Sequence, residues 1–93
     1  MKMARLSEQE IARQLPEVPG WQRVDQSIRR VFELPSFKEA IDFVTRVATL
    51  ADEADHHPDI LIEYRKVTLT LSTHDAGGLS ARDFALARQI PEP

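Results

Sequence analysis

Residues 59–72, Asp-Ile-Leu-Ile-Glu-Tyr-Arg-Lys-Val-Thr-Leu-Thr-Leu-Ser, decide the fold. Ile60, Ile62 and Tyr64 alternate with Asp59, Leu61 and Glu63, and Val67, Leu69 and Leu71 alternate with Thr68, Thr70 and Ser72. Period-two alternation in two adjacent runs is the pattern of paired strands that bury one face. Arg65-Lys66 separates the runs and is expected to form the hairpin turn, although neither residue favours the backbone that two-residue turns require. With Tyr64 opposite Val67, cross-strand partners sum to 131, which pairs Ile62 with Leu69 and Ile60 with Leu71 on a core face that also takes Tyr64. The same register sets His57 opposite His74, on the polar face with Thr68, Thr70 and Ser72.

Upstream of this hairpin, Pro58 biases His57 towards extended geometry, so the preceding helix is expected to end near Asp55. That helix opens on a capping box, Ser36-Phe37-Lys38-Glu39. It carries one apolar stripe of Phe37, Ala40, Ile41, Val44, Val47, Ala48 and Ala51 and a second of Phe43, Leu50 and Ala54, flanked by Asp42 and Arg46. The first stripe is expected to bury on the sheet. The second then needs a partner, which predicts a homo-oligomer packed through the helix 36–55, with Phe43 and Leu50 in the interface. The alternative covers both residues with flanking loops.

Downstream, Ala76-Gly77-Gly78 reads as a turn, and Ser80-Ala81-Arg82-Asp83 opens a last helix carrying Phe84, Leu86, Ala87 and Ile90 before Pro91-Glu92-Pro93 ends it. At the other end, the capping box Ser7-Glu8-Gln9-Glu10 starts a short helix expected to run to Leu15, where Pro16, Pro19 and Gly20 stop it. Residues 21–24 and 27–34 read as two strands around a turn at Asp25-Gln26. The order αββαββα contains no strand-helix-strand repeat that demands a parallel sheet. The expectation is a single α+β domain, 1–93, whose four-stranded antiparallel sheet has helices packed on one face.

The composition narrows the chemistry. The chain has 93 residues, of which 42% are hydrophobic and 29% charged, with three Gly and six Pro, the profile of one globular domain. It has no Cys, which excludes disulfides, thiolate metal sites and cysteine nucleophiles. Met1-Lys2-Met3-Ala4-Arg5 leads into polar sequence, and no long apolar run follows, so neither an export signal nor a membrane span is expected and the location expected is cytoplasmic. Twelve basic against fifteen acidic residues give a net charge of −3, the wrong sign for a surface that tracks phosphates, so no nucleic-acid partner is expected.

All three histidines fall between positions 56 and 74. Imidazole exchanges protons near neutral pH without a large perturbation, so histidines sharing a pocket suit a hydrolytic or elimination reaction that needs an acid and a base together. No Gly-x-Ser-x-Gly elbow surrounds Ser72 or Ser80, and phosphate and dinucleotide loops are absent. A metal site built from His56, His57, His74 and Asp83 lacks a His-x-x-x-His or Glu-x-x-His pair, and no metal is expected. Plainer roles stand beside these. His56 and His57 sit at a helix C-terminus, where the dipole favours a cationic ring and the last carbonyls need donors. His74 can be a solvated strand end, Asp83 a helix cap three residues after Ser80, and Asp52 and Asp55 solvated helix charges.

The spacing of these residues is specific: Asp52, three residues, His56-His57-Pro58, five residues, Tyr64, nine residues, His74, eight residues, Asp83. This pattern resembles the pterin-4a-carbinolamine dehydratase family, also called the dimerisation-cofactor family. The segments Asp55–Pro58, Lys66–His74 and Gly78–Asp83 carry the resemblance. It implies a 4a-hydroxytetrahydrobiopterin-type carbinolamine as substrate, a by-product of pterin-dependent aromatic amino-acid hydroxylases, with quinonoid dihydropterin and water as products. No cofactor or metal is implied. The positions matching His56 and His74 are implied as acids, His57 as a substrate-holding residue and Asp83 as the group that orients an imidazole. Asp52, Asp55, Pro58 and Arg82 are implied around the substrate. The family assembles as dimers or tetramers through the long helix, and some relatives bind a hydroxylase or regulatory proteins, which makes a non-catalytic protein-binding or assembly module the alternative function. In one departure, many relatives carry a large aromatic two residues after the Pro, where this chain has Ile60. Indole stacks on a pterin ring better than isoleucine does, unless the position faces the core.

Overall fold

The structure is a computed structural model that describes residues 4–93; Met1, Lys2 and Met3, the start of the expected domain, lie outside the described residues. The elements are α1 (Glu8–Gln14), β1 (Gln22–Val24), β2 (Ser27–Glu33), α2 (Phe37–Ala54), β3 (Asp59–Glu63), β4 (Lys66–Leu71) and α3 (Ala81–Gln89), with 3-10 turns at Leu15–Glu17 and His74–Ala76. The expected αββαββα order is present. The strands form one antiparallel sheet in the order β1-β2-β4-β3.

Each helix begins where its cap predicts. Ser7 and Glu10 close a full capping box at α1, Ser36 accepts the Glu39 N–H at α2, and Ser80 and Asp83 close a second full box at α3. Glu8 and Arg23 form a bidentate ion pair that ties α1 to β1, and this guanidinium holds the Glu8 carboxyl below the usual carboxylate range. The core lies between one sheet face and the helices. Ile28 and Phe32 of β2 and Val67, Leu69 and Leu71 of β4 meet Ile11 of α1, Phe43 and Val47 of α2, and Phe84 and Leu86 of α3. Phe32 packs on Phe43 with ring centroids 4.8 Å apart, and Trp21 meets the edge of Phe32 at 6.4 Å. The opposite sheet face is open, with Val31 and Leu61 about half exposed.

Three expectations are corrected. First, Phe43 is fully buried in the core and Leu50 packs against it, so neither is an unpartnered interface residue. The buried stripe of α2 is Ala40, Phe43, Val47 and Ala51, while Phe37 and Ile41 are 50% and 37% exposed. The buried face thus lies between the two expected stripes, with Ala40, Val47 and Ala51 from the first and Phe43, which meets Phe32, from the second. Second, the β3–β4 turn is Tyr64-Arg65 rather than Arg65-Lys66. Glu63 pairs with Lys66, Ile62 with Val67 and Ile60 with Leu69, so partners sum to 129. The register is shifted by two residues, which leaves the side chains of Asp59–Glu63 and Lys66–Leu71 on their expected faces.

Third, Tyr64 is not a core residue. It is 71% exposed and left-handed at φ 57°, a conformation that costs a non-glycine residue roughly 1–2 kcal/mol. Tertiary contacts hold the turn there: Leu34 donates its N–H to the Arg65 carbonyl at 2.9 Å, and the Arg65 guanidinium donates to the Leu34 carbonyl at 3.0 Å. Replacing Tyr64 by Asn, which tolerates this backbone, is expected to stabilise the fold by about 0.5–1 kcal/mol, read as a higher urea midpoint at constant m. A lower midpoint would show that the exposed ring contributes more than its backbone costs.

Candidate active site

Three chain segments meet at one end of the sheet: the C-terminus of α2, the stretch that follows β4, and the N-terminus of α3. At the end of α2, Asp55 adopts the left-handed conformation at φ 51°, ψ 42°, which short Asp side chains tolerate. Its N–H bonds the Ala51 and Asp52 carbonyls, and the His56 N–H bonds the Ala51 carbonyl at 3.1 Å. The helix therefore stops abruptly, and the two adjacent histidines leave it in different directions.

His56 turns inward. Its Nε2 lies 2.6 Å from Oδ1 of Asp83, and only 11% of the ring is exposed. Asp83 is wholly buried and its other oxygen is also occupied: Oδ2 accepts the Ser80 N–H at 3.0 Å and the Thr73 hydroxyl at 2.8 Å. The Ser80 hydroxyl stands 2.7 Å from that of Thr73 and accepts the Arg82 N–H at 3.2 Å. The carboxylate thus caps α3 and binds an imidazole at the same time. With an acceptor carboxylate on Nε2, that nitrogen donates, and Nδ1 is left as the ring position able to give or take a proton.

His57 turns outward, with Nε2 2.9 Å from Oδ1 of the exposed Asp52 one turn back on α2. His74 begins the 3-10 turn after β4; it is exposed, and its ring makes no hydrogen bond among the described residues. His57 and His74 are not cross-strand partners, since β3 starts at Asp59 and β4 ends at Leu71. They nevertheless line one depression of about 290 Å³, together with Asp55, His56, Ser72, Thr73, Asp75 and Arg82. Of the residues expected at a site, Asp55, His56, His57, His74 and Arg82 share this wall, Asp83 stands behind it, and Asp52 holds His57 from outside. Pro58 does not line the depression; it carries the chain into β3. Ile60 does not line it either, standing 37% exposed on the free edge strand opposite Leu69.

Thr73 and Ser80 went unread in the sequence as parts of this network. A signal for Thr73 is present there: it continues the parity of Val67, Leu69 and Leu71, so a hydroxyl falls on the core face of the strand and must find a partner. Among the described residues every buried side-chain polar atom has one. No group of three His, Asp or Glu side chains among them is arranged to hold a metal ion, and no helix is long and apolar enough to cross a membrane.

The fold and the site define an α+β domain with a cluster of imidazoles and carboxylates at the end of its sheet. The profile of the family described as pterin 4 alpha carbinolamine dehydratase matches residues 4–92. A protein from Roseiflexus sp. provisionally named pterin-4-alpha-carbinolamine dehydratase is 58% identical over 88 residues, 95% of each chain. One of the same name from Sulfolobus acidocaldarius is 42% identical over 86 residues, covering 92% of this chain and 94% of its own. The crystal structure of a transcriptional coactivator/pterin dehydratase from Brucella melitensis superposes with a TM-score of 0.88 at 36% identity, over 92% of this chain and 94% of that one. The chain belongs to the pterin-4-alpha-carbinolamine dehydratase family.

The buried network sets a stability test. Thr73→Val leaves Asp83 Oδ2 and the Ser80 hydroxyl short of a partner and is expected to cost about 1–3 kcal/mol in urea unfolding, with Thr73→Ser recovering most of it. Equal stability of Val and wild type would show that Asp83 does not depend on this hydroxyl.

Proposed function

We propose that the chain is a hydro-lyase that dehydrates 4a-hydroxytetrahydropterins, 4a-hydroxytetrahydrobiopterin among them, and so returns the pterin spent by aromatic amino-acid hydroxylases to the recycling route. The observation that carries this reading is the buried Asp83–His56 pair beside two exposed imidazoles, in a chain of this family.

The reaction breaks the C4a–O and N5–H bonds. The N5–H electron pair becomes the C4a=N5 double bond, and the C4a–O pair leaves with oxygen, which takes a proton and departs as water. An acid is needed at the hydroxyl and a base at N5. His74, free and exposed, donates to the hydroxyl. His56 exchanges protons through Nδ1 while Asp83 holds its Nε2, which fixes ring orientation and tautomer. His57, tethered by Asp52, holds the substrate, with Asp55 and Arg82 on the rim and Pro58 setting the loop. The chemistry uses imidazole and carboxylate alone, and no cofactor enters it.

The chain further assembles with copies of itself, as a homodimer or homotetramer, through the α2 face that bears Phe37, Ile41 and Ala48 rather than through Phe43 and Leu50. A second reading, a protein-binding module on the same fold, draws on the coactivator part of the Brucella protein's name. The retained imidazoles favour the enzyme.

His74→Ala is expected to reduce kcat by about a hundredfold or more while leaving thermal stability within about 0.5 kcal/mol, measured as the ultraviolet decay of enzymatically generated carbinolamine beside a melting curve. Undiminished turnover would remove His74 from the reaction. Ile41→Glu is expected to lower the size-exclusion mass of the native protein. An unchanged oligomeric mass would mean that assembly does not use this face.

A further inference from the structure

Next to the histidine depression lies a second cavity, larger at about 460 Å³, which shares Ser72, Thr73 and His74 with the first. Its remaining wall comes from the β1–β2 turn and from Gly77 and Gly78, with Arg29 reaching in from the open face of β2. Arg29 is exposed and has no ion pair or side-chain hydrogen bond among the described residues. An unpaired guanidinium at the wall of a concavity, five donors in a planar fork, is suited to bidentate capture of an oxyanion.

The surroundings reinforce that charge. A Cβ placed on Gly78 would lie 3.1 Å from Arg5 Nε and 2.8 Å from Gln26 Oε1, so a second guanidinium lies against Gly78. Ser72 adds a hydroxyl, whereas that of Ser27 already donates to the Val24 carbonyl at 2.8 Å. Asp25 puts one carboxylate on the same wall and makes no ion pair with Arg29 among the described residues. Asp59 lies further along the open face, two strands from Arg29 through Thr70, and makes no ion pair with it among the described residues. In a chain of net charge −3, Arg29 and Arg5 thus set two guanidinium groups at this cavity and its edge against the one carboxylate of Asp25.

We infer that this cavity is a subsite for an oxyanion carried on the side chain of the pterin, with Arg29 as its principal ligand and Arg5 and Ser72 in support. The inference rests on the dehydratase reading, which places the ring against the histidines. His74 lines both cavities, so a ring bound against it in the first can extend one substituent past Ser72 and Thr73 towards Arg29 in the second. The substrate class selected is then a reduced pterin whose side chain ends in a phosphate or carboxylate, in preference to one ending in a neutral alcohol.

The test is calorimetric titration of the intact protein with three stable ligands: 6-hydroxymethyl-7,8-dihydropterin, its phosphate monoester, and 7,8-dihydropterin-6-carboxylate. The phosphate ester is expected to bind about tenfold more tightly than the alcohol, the worth of one charge-assisted contact, and to lose that advantage as salt is raised. Arg29→Gln should bring the ratio of the two dissociation constants close to one, while Arg29→Lys keeps part of it. Tighter binding of the carboxylate than of the ester would assign the subsite to carboxylates, and the reverse order to phosphates. Equal affinities for all three ligands, or an advantage that survives in Arg29→Gln, would overturn the subsite. Turnover of the neutral carbinolamine, measured alongside, separates the two claims: dehydration with equal affinities leaves the enzyme reading standing and removes the subsite, whereas absence of both turnover and binding removes both.

Discussion

Asp83 carries a carboxylate with no access to solvent, and three otherwise separate parts of the chain depend on it. A buried carboxylate costs several kcal/mol unless its oxygens are filled. Here the Ser80 N–H comes from the start of α3, the Thr73 hydroxyl from the segment beyond β4, and the His56 ring from beyond α2. Satisfying one charge therefore fixes how the two helices and the sheet end meet. The surrounding backbone is tied in the same place: Thr73 and Gly78 exchange hydrogen bonds at 2.9 and 3.3 Å, and Leu6 donates to the Leu79 carbonyl at 2.8 Å. A helix cap and a proton-handling pair are commonly treated as competing explanations for an aspartate. At this position the two carboxylate oxygens are divided, Oδ2 capping α3 and Oδ1 holding the His56 ring, so one residue has room for both.

From Asp83 outward, hydrogen bonding falls as exposure rises. His56 is 11% exposed and held by the buried carboxylate, His57 is 59% exposed and held by a solvated one, and His74 is exposed and has no side-chain hydrogen bond among the described residues. An exposed ion pair such as Asp52–His57 contributes little to folding, on the order of 0–1 kcal/mol, and its side chains remain free to adjust. A buried pair behaves differently, since removing either partner strands the other. The gradient suits a site in which one imidazole must be held in a fixed tautomer and another must follow a leaving group.

Much of this was legible in the sequence, and the failures have definite causes. Serine caps announced the three helices, the Asp25-Gln26 turn stood where the polar pair interrupts the apolar runs, and strand parity placed Val67, Leu69 and Leu71 on the core face. The histidine cluster was readable because chain reversal at Pro58 and the hairpin bring positions 56, 57 and 74 to one end. The hairpin register was not, because its turn is held by Leu34, thirty residues away in sequence, against the local preference of Tyr64. The buried face of α2 was misplaced in part for a related reason: it takes Ala40, Val47 and Ala51 from the first apolar stripe and Phe43 from the second, because Phe43 packs on Phe32. Periodicity reports that a face is apolar. It does not report which neighbour will claim it.

Among the described residues, the three non-glycine residues with positive φ, Asp25, Asp55 and Tyr64, show how a short chain distributes backbone strain. Asp25 closes the β1–β2 turn on the wall of the larger cavity, Asp55 ends α2 on the rim of the histidine depression, and Tyr64 closes the β3–β4 turn at the opposite end of the sheet. The first two are aspartates, whose short side chains reduce the cost of the left-handed region, and both lie where the chain must reverse sharply to build a cavity wall. Tyr64 has no such advantage and is held by its neighbour's bonds to Leu34. Strain next to the site is thus assigned to residues that tolerate it, so the site geometry needs no external clamp, while the costlier turn is placed where the β2–α2 connection supplies one. Relaxing Tyr64 alters stability alone. Relaxing Asp55 would move His56 away from Asp83.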